Sequence, residues 1–336
     1  MSVVEIEFSR MVNFEVKLAK AYQSKDLYYS SLRSFRNPLV KTVGVEKAGG
    51  LVSRLTLWGV GDLASLGQVK HFNLTTDANG ITSNFDKVIS GSEALEIFPS
   101  WVGNIAYLGG LVTLPEFREQ GFGEELVTQV ISREKRTVVL TTQNATVLNI
   151  FRDVGGSLLD GSRDNFQYYY SFGQSGELLI DRKLWEPNMK IRKSTSGVNI
   201  SNGGGVMFLN KDRKGEEMPL IFYGTDTRGR MLWWGMREYK SGRLPKDGHF
   251  FPSQAVIFLN PTLSRQEVQM LVPEIAEGIG RSRWVEIFQI RDLEKRIPFP
   301  NDLSNLPTYQ GYDLGKFDFE NNVYPIKDIE SWPIIC

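Results

Sequence analysis

The chain has 336 residues, 41% of them hydrophobic and 23% charged, which is enough for two domains with cores of their own. Lys+Arg and Asp+Glu both number 39, and a formal charge of zero argues against long-range attraction to nucleic acid or an anionic membrane. The single cysteine, Cys336, excludes an intrachain disulfide and a cysteine-based metal centre, and predicts a reducing compartment.

In chain order, the first eight residues alternate charged and apolar side chains as a strand does. They lack the basic start and apolar core of a signal peptide, and no run approaches the roughly 18–20 apolar residues needed to span a bilayer. Cytoplasmic residence without a membrane partner is expected. Met11 to Ala21 reads as a helix and Leu27 to Phe35 as a second short one, ended by Asn37-Pro38. Val40 to Glu46 and Leu51 to Val60 are strand-like around Gly49-Gly50, a hairpin signal. Asp62 to Ser92 is polar, with a strand expected only near Val69 to Leu74, and Ala94 to Phe98 reads as another strand or edge segment.

Ile105 to Leu114 is apolar and β-prone, and Phe122, Leu126, Val127, Val130 and Ile131 fall on one helical face. Between them runs Pro115-Glu116-Phe117-Arg118-Glu119-Gln120-Gly121-Phe122-Gly123. Glycine allows positive φ and close approach of the backbone to a ligand. A helix start leaves amide N–H groups unpaired and carries partial positive charge. Together these form a cradle for phosphate oxygens.

Thr137 to Thr142 is a β-branched buried strand, Asn144 to Asp153 a helix stopped by Gly155-Gly156, and Phe166 to Phe172 an aromatic strand. The order predicts an α/β fold with a mixed sheet flanked by helices, whose central strand–helix–strand unit is parallel. Gly173-Gln174-Ser175-Gly176 marks a linker between a first domain, 1–175, and a second α/β domain, 176–336. In the second half, Asn202 to Gly205 reads as a turn. Strands are expected at Val206 to Leu209, Pro219 to Tyr223, Arg230 to Glu238, Ala255 to Leu259 and Trp284 to Ile290. Ser264 to Gly280 reads as a helix bent by Pro273, and a wrapping tail is expected from Pro298 onward. Twenty-three residues separate Pro115 from Val138 and again Pro261 from Trp284, with Gln143 and Gln289 at one offset. Duplication and coincidence both explain this spacing.

Around the glycine loop the sequence resembles the GNAT acetyltransferase superfamily, which binds acyl-coenzyme A. The residues that carry the resemblance are Val112 to Leu114, Pro115, the Arg-x-x-Gly-x-Gly turn Arg118 to Gly123, and a second motif of Asn144, Phe151 and Gly155. The resemblance covers Ile105 to Gly156 well and residues 1–104 by element order, and the spacing repeat makes the second domain a candidate degenerate copy. It implies acetyl-CoA or another acyl-CoA as co-substrate, with no metal. Implied contacts are Val112, Thr113 and Leu114 beside the pantetheine arm and the amides of Arg118, Glu119, Gln120, Gly121, Phe122 and Gly123 on the pyrophosphate. Asn144 and Phe151 complete the implied binding set. Glu124 and Glu125 are expected to point away from the diphosphate.

The departures concern proton transfer. Many relatives carry a glutamate eight residues before the proline, where this chain has Tyr107, and a tyrosine seven after the asparagine, where it has Phe151. A phenol with an ordinary pKa of about 10 is a poor base near neutrality. Tyr107, Glu96 and Tyr169 are the candidate catalytic groups, with Glu93, Tyr168 and Tyr170 as neighbours that could substitute. The reading is transfer of an acyl group from acyl-CoA to a small-molecule amine. Alternatives are a non-catalytic acyl-CoA-binding module, or acyl or aminoacyl transfer to a nucleotide or nucleic-acid amine. The last draws on Trp185, Trp233, Trp234, Trp284, Phe222 and Tyr223 beside Arg228, Arg230, Arg237 and Lys240, a pattern that core strands also explain. His71 and His249 lie in no metal-ligand spacing, and no nucleophile elbow or P-loop is present.

Overall fold

A computed structural model describes residues 3–22, 38–47, 49–77, 80–142, 144–159, 168–174, 176–182, 201–211, 217–236, 254–264, 266–268, 270–271 and 284–290. Its strands form two sheets. The first contains β1 (Val3–Glu5), β2 (Lys41–Lys47), β3 (Gly50–Trp58), β6 (Ile105–Thr113), β7 (Thr137–Thr142), β8 (Ser157–Leu158) and β9 (Tyr168–Phe172), in the order β1-β2-β3-β6-β7-β9-β8. The second contains β4 (Val69–Asp77), β5 (Gly80–Ile89), β10 (Gly176–Arg182), β11 (Ser201–Lys211), β12 (Glu217–Thr225), β13 (Met231–Met236), β14 (Gln254–Leu259) and β15 (Trp284–Ile290). Its order is β10-β15-β14-β13-β12-β11-β4-β5. All neighbours pair antiparallel except β6 with β7 and β14 with β15.

Helix α1 (Phe8–Tyr22) buries Met11, Phe14, Glu15, Leu18 and Ala19, a spacing that puts them on one face. Phe14 and Leu18 pack on Leu51 and Leu114. Helix α3 (Phe122–Arg133) buries Phe122, Leu126, Val127 and Val130 against Val52, Leu55, Ala106, Leu108 and Val138. Each such side chain contributes about 1.5–3 kcal/mol on burial. The other face of the first sheet, with Ile105 and Val139, meets Tyr223, Val256, Phe258 and Phe288 of the second sheet in one continuous core.

Three expectations are corrected. The polar stretch from Asp62 holds a 3-10 turn, Val60–Ser65, and the full hairpin β4–β5. That hairpin pairs with β11 in the second sheet, so it crosses the division expected at residue 175. Ala94 to Phe98 is no strand, because helix α2 (Gly91–Glu96) starts at a capping box in which Ser90 and Glu93 satisfy each other. Asn202 to Gly205 lies inside β11 rather than in a turn. A Cβ at Gly203 would clash with the Thr225 carbonyl oxygen, and one at Gly205 with Leu74 and the Tyr223 carbonyl. Those glycines serve close strand packing. The helix expected at Leu27 to Phe35, Pro273 and the tail from Pro298 lie outside the described residues.

Candidate functional site

Strands β6 and β7 pair through Ile105–Thr137, Ala106–Val138 and Tyr107–Val139 and no further, although β6 continues to Thr113 and β7 to Thr142. Each stays bonded on its outer side, β6 to β3 as far as Thr113 and β7 to β9 as far as Thr142. A wedge therefore opens between two anchored strands. Gly110 is exposed, and Leu111, Val112, Thr113, Thr141 and Thr142 are half-buried along its edges. Thr141 Oγ1 is a buried hydroxyl with no hydrogen-bond partner among the described residues.

The turn Pro115–Phe117 and the start of α3 (Phe122–Arg133) stand at the end of β6. Arg118 N–H donates to the Pro115 carbonyl at 3.2 Å. This corrects the expectation that its amide is available to a ligand. Glu119 and Gly121 have positive φ, 59° and 79°, and Gly121 is the N-cap of α3. Among the described residues no carbonyl accepts the N–H groups of residues 119–124, and the next amide, Glu125 N–H, donates to Gly121 O at 3.0 Å. A Cβ on Gly123 would lie 3.6 Å from Thr113 Oγ1 and 3.9 Å from Ile150 Cδ1. The amide-rich turn, the end of β6 and helix α4 (Ala145–Asp153) thus meet at the mouth of the wedge. Glu124 is exposed, and Glu125 accepts from Gln129 Nε2 one turn along the helix.

Lys47, at the end of β2, was not singled out in the sequence. Its Nζ lies 5.7 Å from the Phe117 ring centre and 5.2 Å from that of Phe122, and donates to Gln120 Oε1 at 3.0 Å. An ammonium held over two rings beside free amides adds positive charge to the turn. Its sequence signal was only a basic residue before the Gly49-Gly50 hairpin.

The other candidates fall in different places. Val112 accepts a hydrogen bond from Ser53 Oγ at 3.2 Å, and Thr113 Oγ1 lies 2.9 Å from that hydroxyl. Leu114 is buried in the α1 core. Asn144 caps α4, its Oδ1 accepting from Thr146 N–H at 2.9 Å. Phe151 is 2% exposed, packed against Tyr170 and Phe172, so it supports the sheet from beneath. Tyr107 stacks on Trp58 with ring centres 5.1 Å apart and packs on the inter-sheet core. Glu96 is exposed at the end of α2. Glu93 accepts from Ser90 N–H at 2.8 Å and Ser90 Oγ at 2.7 Å, contacts that hold its carboxyl below the usual carboxylate value and make it a weaker base. Tyr169 pairs with Thr141 through the backbone. Phe222, Tyr223 and Trp233 are buried, so these three present no stacking face to a nucleobase; Trp185, Arg237, Lys240 and His249 lie outside the described residues. Arg230 Nε is paired with Asp226 at 2.6 Å. Among the described residues no group of three or more His, Cys, Asp or Glu could hold a metal ion, and no helix is long and apolar enough to cross a membrane.

A parallel strand pair, an amide-rich turn after its first strand and a helix beyond were expected; the opening between the strands was not. Solved structures similar to this chain include an aminoglycoside 6'-acetyltransferase type Ii, with 12% identity over 51% of this chain and 96% of that one and a TM-score of 0.32. A GNAT family acetyltransferase from Brucella melitensis in complex with acetyl-CoA has 12% identity over 52% and 89%, with a TM-score of 0.29. An acetyltransferase of the GNAT family from Streptococcus pneumoniae has 13% identity over 51% and 98%, with a TM-score of 0.31. No family model and no curated protein matches the sequence.

Proposed function

We propose that the protein is an acyl-CoA-dependent N-acyltransferase. The observation that carries this reading is the wedge beyond Tyr107–Val139 with the unpaired amides of residues 119–124 at its mouth. Diphosphate oxygens fit the amides, Lys47 Nζ adds a cation, and an extended arm fits between two strand edges that lack partners. The thioester then reaches the level of Gly110 and Leu111. An amine nitrogen attacks its carbonyl carbon, the C–N bond forms, the C–S bond breaks and the sulfur leaves as thiolate, which takes up a proton as the nitrogen sheds one. Bringing amine and thioester together supplies a large part of such a rate without a dedicated base. The acceptor is a small-molecule amine in this reading.

The hydrogen-bonding commitment of Glu93 and the exposure of Glu96 favour a second reading, a module that binds acyl-CoA without transferring the acyl group. Thiol release from acetyl-CoA over a panel of primary amines separates the two. Sustained, amine-dependent turnover supports the first; saturable binding with no turnover over the whole panel overturns it in favour of the second.

We also propose that the second sheet descends from the same unit. It repeats a meander, β12-β13-β14, followed by a parallel step from β14 to β15.

A further inference from the structure

Strand β6 departs from regular pairing in its middle. Arg54 on β3 faces Val112 and Thr56 faces Gly109, with a register shift between them, so Gly110 and Leu111 together oppose Leu55. Gly110 has φ +60°, and a Cβ there would lie 2.6 Å from Arg54 Nη1. Thr56 Oγ1 donates to the Gly109 carbonyl at 2.8 Å, and Arg54 Nη1 donates to the Gly110 carbonyl at 2.6 Å. Successive carbonyls in a regular strand turn to opposite edges. Here two in succession are held by side chains of β3. The N–H of a trans peptide points opposite to its C=O, and no cis peptide occurs in the described chain. The N–H groups of Gly110 and Leu111 are therefore both turned away from β3, toward the wedge.

The device that holds this bulge is buried. Arg54 is 4% exposed and Glu15 on α1 is fully buried. Arg54 Nε donates to Glu15 Oε1, and the guanidinium carbon lies 6.0 Å from the Phe14 ring centre. Glu15 Oε2 has no hydrogen-bond partner among the described residues. Such a pair loses solvation that its attraction does not fully return, and apolar residues of like volume often serve stability better.

We propose that Arg54, anchored by Glu15, is a positioning residue: it fixes the Gly110 carbonyl toward β3 while Thr56 fixes that of Gly109, so that the amides of Gly110 and Leu111 form a two-donor seat for the thioester oxygen. The inference rests on the reading that acyl-CoA occupies the wedge. Donors placed before the reaction stabilise the charge that grows on that oxygen.

The test is isotope-edited infrared spectroscopy of acetyl-CoA labelled with carbon-13 at the thioester carbonyl, bound to the full chain. CoA affinity and thermal unfolding are measured alongside. In the wild type the carbonyl band moves to lower frequency on binding. Arg54→Met, which releases the Gly110 carbonyl, loses most of that shift while its affinity for CoA, which has no acyl oxygen, stays within about threefold. Arg54→Lys recovers part of the shift. Thr56→Val, a milder change that releases one carbonyl, gives an intermediate shift and covers the case in which Arg54→Met does not fold. A wild-type shift retained in Arg54→Met, or in Thr56→Val if only that variant folds, overturns the proposal. CoA binding without any shift in the wild type overturns this inference alone, whereas no CoA binding by the wild type overturns the acyl-CoA reading with it.

Discussion

Tyr107 and Val139 form the last pair through which β6 and β7 touch. In the second sheet, β14 and β15 run together through six pairs from Gln254–Trp284 to Leu259–Gln289. There Gln289 Nε2 donates to the carbonyls of Asn260 and Leu263, both at 3.1 Å, tying the loop down where the first sheet opens. Gln289→Ala should therefore lower stability by about 1–3 kcal/mol through the carbonyls it strands. CoA affinity should not change. Thermal melts and calorimetry check the two halves of this prediction.

Gly123 and Gly121 answer to different constraints. A methyl group on Gly123 meets only ordinary contacts, 3.6 Å and 3.9 Å away, so Gly123→Ala should fold with Tm within about 2 °C of the wild type. It crowds the amides of the turn, however, and CoA affinity should fall about tenfold, or 1.4 kcal/mol. Differential scanning fluorimetry and calorimetry on the same preparations decide it.

Lys47 contributes charge rather than shape. Lys47→Met should weaken CoA about three- to tenfold at low salt, and the gap to the wild type should narrow as ionic strength rises. Lys47→Arg should retain most of the affinity. A loss that is independent of salt would mean that the side chain acts through packing.

The Tyr107 ring is stacked on Trp58. Tyr107→Phe keeps the stack and should leave the acyl-transfer rate within about threefold, because the ring rather than the hydroxyl makes the contact with Trp58. Tyr107→Ala removes the stack and should cost about 2 kcal/mol of stability. Rates over an amine panel and denaturant melts read these outcomes.

At the closed end of the wedge, Arg136 Nη1 donates to Asp62 Oδ2 at 2.9 Å and Arg136 Nη2 to Glu134 Oε2 at 2.9 Å, while Lys41 Nζ pairs with Asp62 at 3.0 Å. Burial opposes ionisation of Glu134, but the hydrogen bonds and charge of Arg136 outweigh it and hold the carboxyl below its usual 4.5. A lowered value in the folded state means that this stabilisation is complete above pH 4.5 and is lost as the pH falls through the lower folded-state value. Arg136→Met should cost about 2 kcal/mol at pH 7. The gap between variant and wild type should shrink in melts run at successively lower pH below 4.5.

Much of the first sheet was legible because its signals are local. Proline, glycine and a 3.6-residue apolar period mark the end of β6 and the start of α3. Val138 to Leu140 form a short apolar run rich in β-branched residues, as a buried strand does. The capping box of Ser90 and Glu93 was equally visible but lost to the apolar look of Ala94 to Phe98. Hairpin β4–β5 escaped notice because polar residues dominate it and its partner strand, β11, begins more than a hundred residues later. The glycines at 203–205 read as a turn because packing against Thr225 and Leu74 leaves no local trace. Lys47, Arg54 and Glu15 were missed for the same reason: each reaches its partner only after the sheet has formed.

Calorimetric titration with CoA tests the central claim most directly, on the wild type and on Gly121→Asp, which sets a carboxylate at the positive-φ cap of α3. The account predicts saturable binding of one CoA per chain in the wild type and loss of that binding in Gly121→Asp while the variant stays folded. Equal affinity in both proteins, or no binding by the wild type, would contradict it.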